Sequence, residues 1–287
     1  MYDLKKNNEV VLPEINIRLI KTYDEYIAVA ELQKEVWGHE SIEIVPPSIL
    51  MVNQKIGGIV AGAFVPRDMS ADKDGADETL VAFVYGLPGF REGKEVHWSH
   101  MLAVKPEWRG KGLGGRLKQY QRDFVIAKGI DIVHWTYDPL ESVNAVLNLS
   151  KLGALPAEYV CDLYGKGEKS VLHKGIGTDR FILTWYMSEE AKSAHLARYH
   201  AADPATVPAV ISGPLQFEPA TAETTVLKIE IPLNIQELKG ENPQIAKSWR
   251  DVTRAAFLHY FSRDFSVTSC YTDPRSGRCY YVMAKLL

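Results

Sequence analysis

A basic, glycine-rich turn at residues 109–115 carries the clearest chemistry in this sequence. Its letters, RGKGLGG, follow an apolar run and precede a stretch with helical spacing. Gly110, Gly112 and Gly114 let backbone N–H groups approach an anion without obstruction by a Cβ atom. The start of the following helix points more N–H groups and a positive dipole end at the same place. Because Arg109 and Lys111 add charge-assisted contacts, the turn is predicted to bind phosphate or pyrophosphate.

Two other phosphate-binding motifs fit this turn less well. A Walker A loop ends in G-K-[ST], whereas Lys111 precedes the last glycines and no Ser or Thr follows them. A dinucleotide fingerprint needs G-x-G-x-x-G, but the glycines after Gly112 are Gly114 and Gly115, which is out of register. A glycine-rich helix start that binds nothing stays open as the alternative.

Apolar periodicity predicts the elements that position the turn. Strands are expected at residues 15–20, 57–65, 79–87, 97–104, 130–137, 158–163 and 180–187. One helix is expected after a T-x-x-E capping box at Thr22 and Glu25, and others at 48–53, 112–127 and 141–152. The acidic segment 69–78 is expected to be a solvated hairpin loop. The order β-α-α-β-β-β-α-β-α-β-β predicts an α/β fold without the regular alternation of a doubly wound sheet.

The texture of the sequence changes after residue 187. Residues 189–200 look helical, and residues 201–223 are rich in Pro, Ala and Thr and are expected to be an extended connection. A strand at 226–231, a helix at 243–262 and strands at 265–271 and 278–285 follow. We therefore expect two domains, residues 1–189 and a smaller α+β unit at residues 190–287.

Composition narrows the class of protein. The chain has 287 residues with 33 basic and 36 acidic side chains, which argues against a nucleic-acid binder. The first residues lack the apolar region of a signal peptide, and no run approaches the roughly 18 apolar residues that span a membrane. The three cysteines show no metal-binding spacing. We expect a cytoplasmic protein without a metal and without nucleic-acid or membrane partners.

The stretch LAVKPEWRGKGLG resembles the acyl-CoA-binding motif of the GNAT acetyltransferase superfamily. The downstream pair Asn144-Ala145 and the run KLGA at 151–154 resemble the helix that flanks the coenzyme A arm in that family. The run HWTYDPLESVNAVLNLSKLGA also resembles a less characterised branch whose members carry a C-terminal extension. The resemblance covers roughly residues 15–187 and implies a mixed, mostly antiparallel central sheet flanked by helices, with acetyl-CoA or another acyl-CoA as co-substrate.

The same resemblance implies which residues bind the coenzyme. The strand before the turn would open away from its neighbour to form a cleft, and its backbone would pair with pantetheine through Leu102, Ala103 and Val104. The turn and helix start would hold the pyrophosphate, and Asn144 would flank the arm. The residues implied for the pyrophosphate are Arg109, Gly110, Lys111, Gly112, Leu113, Gly114 and Gly115.

N-acyl transfer needs a base, because an acceptor amine is mostly protonated at neutral pH. His100 is the first candidate, since it precedes Leu102 by two residues on the cleft strand; His97 falls on the other face. A packed core histidine is the alternative for His100. Many GNAT enzymes protonate the departing thiolate with a tyrosine, but the matching position here is Leu149. Tyr164, Tyr159 or no residue at all would replace it.

Other polar residues are candidates for the acyl end and the acceptor end. Asp138 ends the fifth strand, where it caps a turn or takes part in catalysis. Asp179 and Arg180 precede the last strand, which borders the acceptor in GNAT folds, and Arg180 would hold a carboxylate or form a surface salt bridge. Arg250 and Arg254 share one helix face, which either lines the acceptor side or, as we expect, is solvated.

These residues favour transfer of an acyl group, acetyl or another short acid such as succinyl, to the amine of a small molecule such as an amino acid. The same chemistry on a protein or peptide amine is the first alternative. A non-catalytic coenzyme A-binding sensor or assembly module is the second, supported by Leu149. The sequence leaves the oligomeric state open, with a homo-oligomer among the options.

Overall fold

The computed structural model describes residues 14–38, 43–66, 78–165 and 175–287. Seven strands form a first sheet in the spatial order β1-β2-β3-β4-β5-β7-β6. Its described neighbours pair antiparallel except β4 and β5, which are parallel. The strands are β1 (Asn16–Leu19), β2 (Ile59–Pro66), β3 (Glu78–Arg91), β4 (Lys94–Val104), β5 (Ile132–Tyr137), β6 (Leu155–Val160) and β7 (Arg180–Tyr186). The mixed, mostly antiparallel sheet flanked by helices is confirmed.

Helices cover both faces of this sheet because its central strands are apolar on both sides. On one face, α1 (Tyr23–Trp37) and α2 (Pro47–Lys55) bury a cluster that includes Phe64 and Phe83. On the other, α3 (Leu113–Ile126) inserts Leu113 and Leu117 against β2 and β3. The predicted capping box starts α1: Thr22 Oγ1 accepts from Glu25 N–H, and the Glu25 carboxylate accepts from Thr22 N–H.

A second, four-stranded sheet has the order β10-β11-β9-β8. One hydrophobic cluster joins it to β5 and β7 of the first sheet, with the rings of Phe181 and Phe257 4.8 Å apart. The boundary near residue 189 therefore stays a prediction. The remaining elements are α4 (Ser142–Ala145), α5 (Glu189–Leu196), β8 (Ala209–Ile211), β9 (Val226–Ile231), α6 (Ile235–Glu241), α7 (Pro243–Phe261), β10 (Phe265–Thr272) and β11 (Cys279–Lys285).

Several predicted elements differ from the structure. The predicted strand at 158–163 lies earlier, as β6, because Asp162 adopts φ 47° and its N–H bonds to the Asp179 carboxylate. The predicted helix at 141–152 is α4 followed by a π-helical turn, Val146–Lys151, in which Leu152 N–H bonds to Leu147 O.

The sequence also missed two short elements in the C-terminal part. The expected extended connection at 201–223 contains β8, and α6 was not predicted although Asn234 caps it through Glu237 N–H. The hairpin loop expected at 69–78 lies outside the described residues except for Glu78, which begins β3. Among the described helices, none has the length and apolarity to cross a membrane.

Candidate functional site

The two parallel strands of the first sheet separate part-way along their length. β4 and β5 pair only at His97 with Val133 and at Trp98 with His134. Beyond these positions β4 runs on to Val104 and β5 to Tyr137 without a shared ladder. Each strand therefore presents unpaired backbone groups to a slot between them, which suits an extended ligand carrying amides.

The glycine-rich turn lies at the open end of this slot. Arg109 Nε donates to Val104 O at 3.3 Å, which ties the turn to the end of β4. Gly110 and Gly112 take φ of 75° and 77°, values that favour glycine. The first bond of α3 runs from Arg116 N–H to Gly112 O, so the N–H groups of residues 113–115 project from the helix end. This donor set fits a pyrophosphate.

Space and charge around the turn fit the same group. A Cβ atom added at Gly110, Gly112 or Gly115 would meet nothing within 4 Å. The turn is exposed, and the Lys111 ammonium lies 4.5 Å from the centre of the Trp108 ring. The turn therefore has room and positive charge for a bound anion.

The other residues implied for the coenzyme lie along the slot. Leu102 and Val104 face the cluster under α3, whereas Ala103 faces the opposite cluster under α1, so their shared feature is the backbone edge of β4. Asn144 is exposed on α4, just after the end of β5. Leu149 lies in the π-helical turn and is buried.

His100 lies at a bulge in β4, since Tyr85 pairs with Met101 and Gly86 with Ser99. Its side chain is exposed, with its ring 5.8 Å from that of Tyr85. Partial desolvation lowers the pKa of His100, and the Glu43 carboxylate acts against that shift. The imidazole is therefore mainly neutral at neutral pH, as a base must be.

His97 points to the other face of the sheet, as predicted. It is fully buried beside Gln121, with Nε2 3.0 Å from the Gln121 amide nitrogen. Burial first, and then the positive charge of Lys118, lower the pKa of His97 to about 4.

Asp138 is a buried anchor at the end of β5. Its carboxylate accepts Leu140 N–H at 2.8 Å, so the predicted turn cap is confirmed. Both of its oxygens also bind Arg250 Nη2, at 2.7 and 2.5 Å. Arg250 is 2% exposed, so the prediction of a solvated face on α7 is wrong for this residue. The reason is that α7 packs against the first sheet through the shared cluster.

Asp179 is also buried, and its carboxylate binds side chains of α7 and β6. Its carboxylate binds Arg254 Nε at 2.8 Å and Nη2 at 2.5 Å, and accepts the Tyr159 hydroxyl. Burial and the nearby Asp179 carboxylate raise the pKa of Tyr159 far above its ordinary value, so this phenol holds its proton. The structure thus places Asp179 in a network that joins α7 to the start of β7.

Arg180 is 8% exposed, so the surface salt bridge considered for it is wrong. Its Nη1 donates to Asp179 O at 2.9 Å and lies 3.8 Å from Asp138 Oδ2. The Tyr164 ring lies 5.2 Å from its guanidinium carbon, and the exposed Tyr164 hydroxyl lies 3.1 Å from Thr136 Oγ1. Arg180 and Tyr164 therefore sit together beyond the end of the slot.

Residues 61–153 match the sequence model of the acetyltransferase (GNAT) family. The chain carries a GNAT acetyltransferase domain. The match covers the slot, the turn and His100, and it supports an acyl-CoA-dependent N-acyltransferase in general. No curated protein matches the sequence.

Solved structures similar to this chain include two acetyltransferases and a complex that contains CoA. The ribosomal-protein-S18-alanine N-acetyltransferase from Escherichia coli is 15% identical, with a TM-score of 0.44, and the match covers 61% of this chain and 95% of that one. A GNAT acetyltransferase from Streptococcus pneumoniae is 10% identical, with a TM-score of 0.46, and the match covers 61% of this chain and 100% of that one. The NatC complex bound to Gag peptide and CoA is 14% identical, with a TM-score of 0.46, and the match covers 61% of this chain and 99% of that one.

One buried residue of the GNAT domain was missed by sequence reasoning. Lys118 on α3 is 5% exposed, and its Nζ donates to Ser99 Oγ at 2.7 Å and to Gln121 Oε1 at 3.3 Å. The signal was its position: Lys118, Gln121 and Val125 share the buried stripe of α3 at spacings of three and four residues. A lysine on that stripe is predicted to be buried with its neighbours.

Proposed function

We propose that the protein transfers a short acyl group, acetyl first among the candidates, from acyl-CoA to the amine of a small molecule that carries a carboxylate, such as an amino acid. The supporting observations are the GNAT domain with its glycine-rich turn and a guanidinium, Arg180, that lies beside Tyr164 at the carboxyl end of β5. The Glu43 carboxylate is within electrostatic range of both His100 and Arg180.

The two groups suit the two ends of an amino acid. In this proposal the acceptor carboxylate lies beside Arg180, because a planar guanidinium suits a carboxylate. His100 on the bulge of β4 would then be near the amine. A cation beyond the end of β5 and a base on β4 would orient an amino acid, which carries both charges on one carbon.

The chemistry follows from these positions. His100 takes a proton from the acceptor ammonium, directly or through water, and leaves a neutral nucleophile. The unpaired N–H groups of β4 beyond Trp98 are donors for the acyl carbonyl oxygen. Residues 109–115 hold the pyrophosphate, with Asn144 beside the arm. Acyl-CoA supplies the activated acyl group for direct transfer.

The first experiment is calorimetric titration with acetyl-CoA, succinyl-CoA and free coenzyme A, which tests the binding site and compares acyl groups. Transfer is then assayed on matched pairs of acceptors, namely amino acids and their carboxamides, and on short peptides. We expect kcat/KM to be at least about tenfold higher for the acid than for its carboxamide, because only the acid pairs with Arg180.

Variants of Arg180 test the assignment. Arg180→Met should bring the acid and its carboxamide to similar kcat/KM, whereas Arg180→Lys should keep part of the preference. The matched control is Arg278→Met. Arg278 directly precedes β11 and pairs with Glu230. Equal rates for both acceptors in the wild type, or higher rates on peptides, would contradict a small acidic acceptor. Tight binding of acyl-CoA without turnover on any amine would favour the non-catalytic alternative.

A further inference from the structure

A buried ammonium lies at the closed end of the slot between β4 and β5. Lys118 Nζ donates to Ser99 Oγ on β4 at 2.7 Å. It also lies 3.9 Å from the centre of the Trp135 ring on β5. Ser99 and Trp135 directly follow the last paired residues of their strands. Lys118 therefore bridges the two walls at the point where they separate.

This cation has no carboxylate partner among the residues that the structure describes. Its other hydrogen bond goes to the neutral amide of Gln121. The titratable group beside it is His97, which its low pKa keeps neutral at neutral pH. A buried ammonium without a counter-ion is costly, and an apolar side chain would fill the place at lower cost. A ligand that develops negative charge at the closed end would offset that cost.

The length of the slot identifies which part of acyl-CoA reaches Lys118. From Val104, which is tied to the turn through Arg109, to Ser99 is four steps of the ladder with β3, because His100 is bulged and the partners are Ala82 and Gly86; this is about 14 Å at the rise of a strand. The turn lies beyond Val104, and a pantetheine arm from phosphate to sulfur is about 16 Å when extended with ordinary bond lengths. With the pyrophosphate at the turn, the sulfur therefore falls at the closed end.

We propose that Lys118 donates the proton that the departing sulfur of coenzyme A takes up. This inference rests on the proposed function. As the amide bond forms, the bond between the acyl carbon and sulfur breaks and its electron pair stays on sulfur. The Nζ–H proton of Lys118 moves to that sulfur, so coenzyme A leaves as the thiol. The acceptor ammonium releases two protons to water through His100, one before the attack and one as the amide forms. Lys118 regains one proton from water, so one proton is released overall.

The acidity of Lys118 suits this transfer. Burial lowers the pKa of Lys118 to about 7, whereas a thiol of the cysteine type has a pKa of about 8.5. The proton therefore moves to the stronger base. An ordinary lysine, with a pKa of about 10.4, would keep its proton in competition with the thiolate. Leu149, where many GNAT enzymes have a tyrosine, has no proton to give.

The test compares wild type with Lys118→Met, which keeps the length of the side chain without its charge. The readout independent of activity is the ultraviolet absorbance of the thiolate of bound coenzyme A, followed as the pH is raised. Lys118 is charged only below about pH 7, so part of the thiolate absorbance of the wild type should appear in that range, at lower pH than in Lys118→Met, whose bound thiol should ionise at its value in free coenzyme A or above. Lys247→Met, at an exposed lysine of α7, should behave as wild type.

Kinetics give the second readout. Lys118→Met should lose about 10²- to 10⁴-fold in kcat, the range for a general acid, with the KM for acetyl-CoA changed by only a few fold. In the wild type kcat should fall above about pH 7 as Lys118 deprotonates, and this fall should vanish in the variant. Lys118→Arg, which keeps the charge but cannot release its proton, should still lower the thiol pKa and yet lose kcat.

The outcomes separate this inference from the proposed function. Absence of coenzyme A binding by the wild type in calorimetry would overturn both. Binding and transfer with the same thiol pKa in wild type and Lys118→Met would overturn only the role of Lys118. Should Lys118→Met fail to fold, as judged by thermal unfolding, Lys118→Arg carries the test through its loss of kcat.

Discussion

The ion pair between Arg250 and Asp138 permits a sharp test of how the C-terminal helix is attached. Their side chains are 2% and 3% exposed and approach to 2.5 Å, and Arg250 Nε also donates to Ile176 O at 2.9 Å. Arg250→Met removes the nearest cation from the buried Asp138 carboxylate and leaves it the more distant Arg180, at 3.8 Å; breaking a buried pair in this way costs about 3–5 kcal/mol of the free energy of unfolding. At about 2–3 °C per kcal/mol for a chain of this size, Tm should fall by roughly 6–15 °C.

The same helix supplies the control. Lys247 and Asp251 of α7 also approach to 2.5 Å, but their side chains are 61% and 57% exposed. Since an exposed helical pair of this spacing contributes about 0.3–0.5 kcal/mol, Lys247→Met should lower Tm by only about 1 °C. The double variant Asp138→Asn with Arg250→Met removes the uncompensated charge and should recover more than half of the loss. Equal melting of Arg250→Met and Lys247→Met would refute the reasoning.

Three further predictions concern the turn, the base and the buried network. Gly112→Ala places a Cβ atom on a residue with φ 77°, and a left-handed backbone costs a residue with a Cβ about 1–2 kcal/mol. Calorimetry should therefore show roughly 5- to 30-fold weaker acetyl-CoA binding. Gly240→Ala in α6 should bind as wild type. His100→Ala should lose about 10²- to 10⁴-fold in kcat together with the rise in rate through the His100 pKa, below about 6.5; unchanged transfer from about pH 6 to 9 would exclude this base. Burial raises the pKa of Asp179, but the hydrogen bond from Arg254 and its other contacts outweigh burial and lower it. Its stabilisation is therefore present above about pH 3.9 and lost as pH falls through its folded pKa, so denaturant unfolding of Asp179→Asn should depend less on pH in that acid range, and an unaltered pH dependence would contradict the assignment.

The coenzyme half of the site could be predicted from the sequence because its signal is local. The turn, its preceding strand and the helix start are consecutive in the chain, and backbone N–H groups at a helix end need only glycines beside them. The slot was expected only through the family resemblance, since the separation of β4 from β5 depends on pairing between distant strands. Strand alternation separates His100 from His97, but it could not show the bulge at His100, which turns this side chain towards Tyr85 and away from the face of Leu102.

The acceptor half could not be predicted in the same way. The burial of Arg250 depends on Asp138, which lies 112 residues away in the chain, and helical spacing shows only that Arg250 and Arg254 share a face. Whether that face meets water or a carboxylate is a tertiary property. Lys118 is the opposite case, because the helical spacing of α3 is readable from the sequence and places Lys118 on its buried stripe. Since lysine usually prefers solvent, its burial was not predicted.

The division of the site follows the division of the chain. The slot, the turn, His100 and Lys118 all lie within residues 61–153, the part that matches the GNAT family. Arg180 and Arg250 lie outside that part, yet both pair with Asp138 at the end of β5. Under the proposed function, acyl donor chemistry is therefore expected to depend on the matched residues, and the choice of amine on residues of the flanking elements.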